Sequence, residues 1–252
     1  MISRLLCKYC IEDEDAYVYD DSICALSECP ASNSSHYTLA IIFIKPCSLV
    51  YTASFWNSKD EKWVVIPKLP YLENITDITF YKGEFYVVDS KGRMVASSGF
   101  DDAIRPLITR PTWALDRWSS LSDKVYLVES AGKLLQVLRC YPDLTLPKYI
   151  DQRVSKFIVW EVNVDKGETK EVKNLGNRAL FLGLNSCFSM EASPHCCKPN
   201  CIYYVSDYGH HVNMGVYDIT SGQKIEDHIS PIVAATSTSF WVEAPSSCCI
   251  KS

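Results

Sequence analysis

Glu84-Phe85-Tyr86-Val87-Val88-Asp89-Ser90-Lys91-Gly92 returns as Lys124-Val125-Tyr126-Leu127-Val128-Glu129-Ser130-Ala131-Gly132, and more loosely as Cys201-Ile202-Tyr203-Tyr204-Val205-Ser206-Asp207-Tyr208-Gly209. Tyr86 and Tyr126 stand 40 residues apart, and Tyr126 and Tyr203 stand 77 apart, close to two such steps. Each copy is an apolar strand that runs into an acidic or polar turn closed by Gly. A period near 40 built from strands and turns is that of a propeller blade. The expected fold is therefore all-β: an antiparallel β-propeller of four-stranded blades. At roughly 40 to 45 residues per blade, the chain holds five or six of them, or an incomplete ring.

The segments around the first copy support this. Ile75 to Tyr81, the turn Lys82-Gly83, Glu84 to Asp89, the turn Ser90-Lys91-Gly92 and Arg93 to Ser97 form three strands joined by very short turns. No room is left for crossover helices, so neighbouring strands run antiparallel. Further strands are expected at His36 to Lys45, Ser48 to Trp56, Trp63 to Ile66, Leu180 to Met190 and Ile202 to Val205. Hairpins are expected around Ala131-Gly132, Asp165-Lys166-Gly167 and Thr220-Ser221-Gly222. Phe100 to Ser120 and Cys140 to Arg153 read as irregular, proline-bearing connectors. Residues 1–35 lack a sustained period and read as a divergent or poorly ordered lead-in. Residues 36–245 form the propeller domain and 246–252 a tail.

Composition narrows the function. A net charge of −5 argues against a nucleic-acid or anionic-membrane surface, which needs clustered Lys and Arg. The longest strongly apolar run, Leu39 to Ile44, is six residues, where a membrane span needs about 20. The N-terminus runs into Glu12-Asp13-Glu14-Asp15 and has no signal-peptide pattern. The 12 cysteines then read as reduced thiols of a protein in the cytoplasm or nucleus, and the sequons at Asn33 and Asn74 carry no meaning.

Motifs that could carry chemistry each have a blander reading. Cys7-Lys8-Tyr9-Cys10 with Cys24 and Cys29 lacks the second close pair of a zinc site. His195-Cys196-Cys197 with Cys201 is a soft-ligand cluster in a loop, and an ordinary loop is the preferred reading. Asp101-Asp102 reads as a solvated pair, and His210-His211 as neighbours pointing to opposite sides of a strand. Cys249-Ile250-Lys251-Ser252 has Lys where a prenylation box wants an aliphatic residue. No nucleophile elbow, phosphate loop or paired metal histidines occur in the sequence. The expectation is a protein that is not an enzyme, with no catalytic, cofactor-binding or metal residues and no cofactor. An alternative places ligand-binding or enzymatic chemistry in a central pocket, on Asp89, Glu129 and Asp207, which recur at strand ends; shaping turns is their preferred role. Trp113 to Trp118 is a candidate contact surface, and no partner-binding residue is assigned.

One string is more specific. Leu175-Gly176-Asn177-Arg178-Ala179-Leu180-Phe181-Leu182-Gly183 follows Phe157-Ile158-Val159-Trp160-Glu161-Val162 and precedes Asn200-Cys201-Ile202-Tyr203-Tyr204. With Asp77 to Gly92, these segments resemble the plant F-box-associated β-propeller family, a domain of unknown function in kelch-like F-box proteins. The resemblance covers roughly residues 36 to 230. It implies a protein-interaction domain that presents an unidentified substrate protein to a Skp1–cullin–F-box ubiquitin ligase; the alternative within the family is a residual member with no ligase role. Residues 1–35 are too short and irregular for an F-box, so a Skp1-type adaptor is a partner only if an F-box lies upstream.

Overall fold

The computed structural model describes residues 23–28, 36–44, 51–66, 69–100, 103–108, 124–140, 156–183, 187–208 and 211–231. All its regular structure is β. The first sheet is β1 (Ile23–Leu26), β2 (Thr38–Ile44), β3 (Tyr51–Asn57) and β4 (Lys62–Ile66). The second is β5 (Ile75–Tyr81), β6 (Glu84–Asp89), β7 (Met94–Ser97) and β8 (Arg105–Ile108). The third is β9 (Lys124–Ser130), β10 (Lys133–Cys140), β11 (Lys156–Asn163) and β12 (Glu168–Glu171). Each of these three is a four-stranded antiparallel meander in chain order. The fourth holds β13 (Arg178–Leu182), β14 (Cys187–Glu191), β15 (Cys201–Tyr208), β16 (His211–Asp218) and β17 (Gln223–Pro231), in the order β14-β13-β15-β16-β17. The edge strands β1, β5, β9 and β14 touch in succession and are the inner edges; β4, β8, β12 and β17 are the outer ones.

The sheets pack face to face, and this explains why the repeated phrase is apolar throughout. Phe85 and Val87 of β6 pack on the first sheet, with Ile42, Ala53 and Phe55. Tyr86 and Val88 of the same strand pack on the third sheet, with Leu127, Leu134 and Trp160. On β9, Val125 and Leu127 face the second sheet while Tyr126 and Val128 face the fourth, against Leu180, Leu182 and Ile202. A strand buried on both faces shows no polar alternation. The turns of the phrase also fit: Lys82-Gly83 and Ala131-Gly132 each hold two consecutive positive φ values, as a tight hairpin needs.

The blade expectation holds in kind and differs in detail. Four sheets are seen among the described residues, and they do not close a ring. The copies of the phrase fall on the second strand of one sheet (β6), the first of the next (β9) and the third of the last (β15). The repeat therefore marks strands buried on two faces rather than one fixed blade position. A strand, β1, lies ahead of His36 and pairs Ile23–Leu26 with Leu39–Ile42. Leu180 to Met190 is not one strand but parts of β13 and β14, which pair with each other. β15 then runs parallel to β13, the one departure from antiparallel pairing among the described strands. Part of the Phe100 to Ser120 connector is β8, where Pro106 is tolerated because an outer edge has no partner for the missing N–H.

Gly167, in the turn between β11 and β12, ties the third sheet to the second. Its φ is +66°, and a Cβ there would sit 2.6 Å from the Leu107 carbonyl oxygen on β8. Gly167→Ala combines a left-handed backbone with a clash against main chain. We expect a loss of about 2 kcal/mol or more by chemical denaturation; an unchanged midpoint would show that this contact is not tight.

Candidate functional site

Polar side chains cross between sheets at the inner edges. β9 is an edge strand there, and two residues of β5 take the place of a pairing strand. Thr76 Oγ1 donates to the Val125 carbonyl at 2.8 Å, and Asp77 Oδ2 accepts the Leu127 N–H at 2.8 Å. Asp77 Oδ1 accepts the N–H of Ile78 at 2.8 Å. The Cys187 thiol on β14 hydrogen-bonds the same carboxylate, and the Lys124 ammonium on β9 acts on both. An acid, an amine and a thiol from three successive sheets thus meet at the inner edge.

Their chemistry is that of a support. Burial raises Asp77 to about 6, against the opposing pull of the Leu127 N–H, Lys124, the Ile78 N–H and Cys187. Burial first, and the Asp77 charge second, push the Cys187 thiol far above its ordinary range, so it is not a ready nucleophile. Further bonds stitch the same sheets. Tyr81 Oη donates to the Gly132 carbonyl at 2.7 Å, and Gln136 Nε2 to the Gly92 carbonyl at 3.0 Å. Arg178 Nε reaches Ser189 Oγ at 2.9 Å and Ser130 Oγ at 3.2 Å, joining the fourth sheet to the third.

Asp77 gives a pH signature. Its unfolded value is near 3.8 and its folded value about 6, so between the two the folded state holds a proton that the unfolded chain lacks. The contribution is fully favourable below about pH 4 and is lost as pH rises through 6, by up to about 3 kcal/mol. The urea midpoint of the native protein, compared with Asp77→Asn, should fall between pH 4 and pH 7. Parallel pH profiles for the two would remove Asp77 as the cause.

Among the described residues, those singled out from sequence lie in separate places. Asp89 is buried at the end of β6 and holds its own turn together. Glu129 lies exposed on β9, and Asp207 falls on β15 with its side chain outside the described residues. The three stand at different strand positions of three sheets. His195 and Cys196 are exposed in a turn, with Cys196 Sγ 3.9 Å from Met190 Sδ. Cys197 and Cys201 are buried, and burial raises both thiols. Among the described residues no group of three His, Cys, Asp or Glu is placed to hold a metal. Cys24 lies exposed on β1, and His211 opens β16. Cys7, Cys10, Cys29, Asp101, Asp102, Trp113, Trp118, His210 and residues 249–252 lie outside the described residues. Asp77 was missed, although a Thr-Asp pair inside an apolar strand is a visible signal that something there needs hydrogen bonds.

The Leu175 to Gly183 string has a definite role in this frame. Leu175 N–H donates to Asn200 Oδ1 at 2.7 Å, and Asn200 N–H to the Arg178 carbonyl at 2.7 Å. The string thereby fixes where β15 rejoins β13 after the chain has passed through β14.

Sheets stacked face to face and stitched along their inner edges define a propeller-type scaffold. The chain belongs to the KIB1-4 β-propeller family, whose model matches residues 6–218. Among its relatives in Arabidopsis thaliana, F-box protein SKIP23 is 27% identical over 196 residues, covering 68% of this chain and 45% of that protein. F-box protein At2g26160 is 30% identical over 140 residues, covering 54% of this chain and 40% of that protein. The chain thus spans less than half the length of these relatives. Among solved structures, a luciferin-regenerating enzyme aligns at a TM-score of 0.36 and 11% identity, covering 76% of this chain and 56% of that one, too distant to carry an argument.

Proposed function

We propose that this chain is a protein-interaction domain that presents a substrate protein to a Skp1–cullin–F-box ubiquitin ligase. Its membership of a propeller family whose curated relatives are F-box proteins carries the reading. The physical support is a scaffold with interlocked sheets, on which the loops between strands can vary without disturbing the core. The chain acts by holding a partner and not by catalysis; in support of this, burial holds the Cys187 thiol protonated, and Asp89 and Glu129 stand on strands of different sheets. Contact with a Skp1-type adaptor belongs to a product that also carries an F-box. The site of action is the cytoplasm or nucleus, where the free thiols of Cys24, Cys140, Cys187, Cys196, Cys197 and Cys201 stay reduced.

Affinity capture from plant extract, followed by ubiquitin-remnant profiling after loss of the gene, tests both halves. The expected result is a reproducible protein partner whose ubiquitination falls when the chain is lost. A partner whose ubiquitination does not change would overturn the ligase role. Recovery of no reproducible partner would overturn the interaction role as well.

A further inference from the structure

One pair of cysteines combines solvent access with sulfur contact. The loop between β14 and β15 turns back on itself at Ser193. The Ser193 carbonyl accepts the N–H groups of Cys196 and Cys197, at 3.0 and 3.2 Å, and Ser193 bridges to Cys197. This turn gives the two neighbours different surroundings. Cys196 is exposed, while Cys197 is buried against Ala179 and Phe181 of β13. Their sulfurs nevertheless meet: the Cys197 thiol donates a hydrogen bond to Cys196 Sγ, which lies 3.9 Å from Met190 Sδ on β14. Both thiols are free. Cys201 is buried on β15 and interacts with Cys197 through charge.

We propose that Cys196 and Cys197 form a peroxide-sensitive modification site that closes into a disulfide between the two neighbours. Exposure decides which sulfur reacts first, and contact decides which one resolves it. Cys196 Sγ attacks the O–O bond of a peroxide. With hydrogen peroxide this gives a sulfenic acid, and the thiol proton leaves with the departing oxygen as water. Cys197 Sγ then displaces the sulfenic hydroxyl, forming the S–S bond, and its own proton leaves in a second water. Two thiols are oxidised and one peroxide is reduced. Neighbouring Cα atoms are about 3.8 Å apart, closer than the span of about 4.4 to 6.8 Å usual for a disulfide. The closed ring is therefore strained and easily reduced, which suits a reversible mark. In a reducing compartment the pair rests as thiols and closes only when peroxide rises.

The test uses the full chain, reduced, freed of reductant and exposed to hydrogen peroxide with and without dimedone, which traps sulfenic acids. Remaining thiols are then capped with N-ethylmaleimide, and tandem mass spectrometry of the digest places each modification. The expected product is the Cys196–Cys197 bond, reopened by reduced glutathione. Cys197→Ser removes the resolving thiol, so dimedone labelling of Cys196 should rise about tenfold or more over the native protein. Cys196→Ser, at an exposed position that the core does not use, should leave Cys197 as a thiol after the same treatment. Cys201→Ser should form the same bond as the native chain. A Cys197–Cys201 bond, equal dimedone labelling of Cys196 in native and Cys197→Ser chains, or oxidation of Cys197 in Cys196→Ser would each overturn the proposal. So would a native Cys196 that stays a thiol while other cysteines of the chain are oxidised.

Discussion

Asp89→Ala should lower the stability of the chain by about 3 to 5 kcal/mol. The Asp89 residue is 0% exposed and its carboxylate is the hub of the turn that ends β6. Oδ1 accepts the N–H groups of Lys91 and Arg93, both at 2.9 Å. Oδ2 accepts Arg93 Nε at 2.6 Å and the Glu73 N–H at 3.2 Å. Alanine removes all four acceptor contacts at once and leaves three main-chain donors and a guanidinium without this partner. Each buried donor left unmade costs about 1 to 3 kcal/mol, and Arg93 keeps only its longer contact to Glu73, at 3.5 Å. Burial raises the Asp89 carboxyl above its ordinary range despite these bonds, so the charge is held there at a cost. The bonds matter because they fix the turn, not because the ion pair is a surplus of stability. Asp89→Asn keeps one acceptor oxygen and should lose roughly half as much. Equilibrium urea denaturation checks both, and an alanine variant within about 1 kcal/mol of the native protein would show that water replaces the carboxylate easily.

The same residue shows what could be read from the sequence. The acid-then-Gly ending of the first copy, Asp89 to Gly92, is a turn, as its composition implied, and Asp89 is its organiser. The strands were legible because strands buried on both faces leave continuous apolar runs, and because Lys82-Gly83 and Ala131-Gly132 admit few other conformations. The order of strands was less legible. β14 sits beyond β13 at the inner edge, and β15 comes back on its other side. Gly183, Asn185 and Ser186 inside Leu180 to Met190 are a local turn signal, but nothing local says that β15 returns to the other side of β13. Packing of Ala179 and Phe181 against Cys197 of the 192–200 loop decides it. The inner-edge contacts were least legible. Asp77 lies 50 residues from Leu127 and 110 from Cys187, and no spacing rule links positions that meet only when three sheets pack. Polar residues inside an apolar strand are the general signal for such a stitch, and Thr76-Asp77 carries it.

Tyr126→Ala should be as costly as the loss of Asp89 and should act at a different place. Tyr126 is fully buried in the face that the third sheet turns to the fourth, among Leu135, Val137, Leu180, Ile202 and Tyr204. Removing a ring from such a site costs about 3 to 5 kcal/mol, since neighbours relax only in part. The hydroxyl adds a second effect, because it accepts a hydrogen bond from the buried Arg139 Nη1 at 2.7 Å. The Arg139 guanidinium carbon and Lys124 Nζ also lie 5.6 Å and 5.1 Å from the ring centre, where the face of the ring favours a cation. Tyr126→Phe keeps the ring and loses only the acceptor, so it should cost about 1 to 2 kcal/mol. The gap between the two variants measures packing apart from the hydrogen bond. Location is the sharper check. Tyr126 contacts the fourth sheet, so amide exchange in β13 and β15 should accelerate more than in β2 or β3 of the first sheet, whose packing partners are on the second. A uniform acceleration across all four sheets would mean that they open as one unit, and that the inner-edge bonds of Asp77, Tyr81 and Arg178 bind the stack more tightly than the apolar faces do.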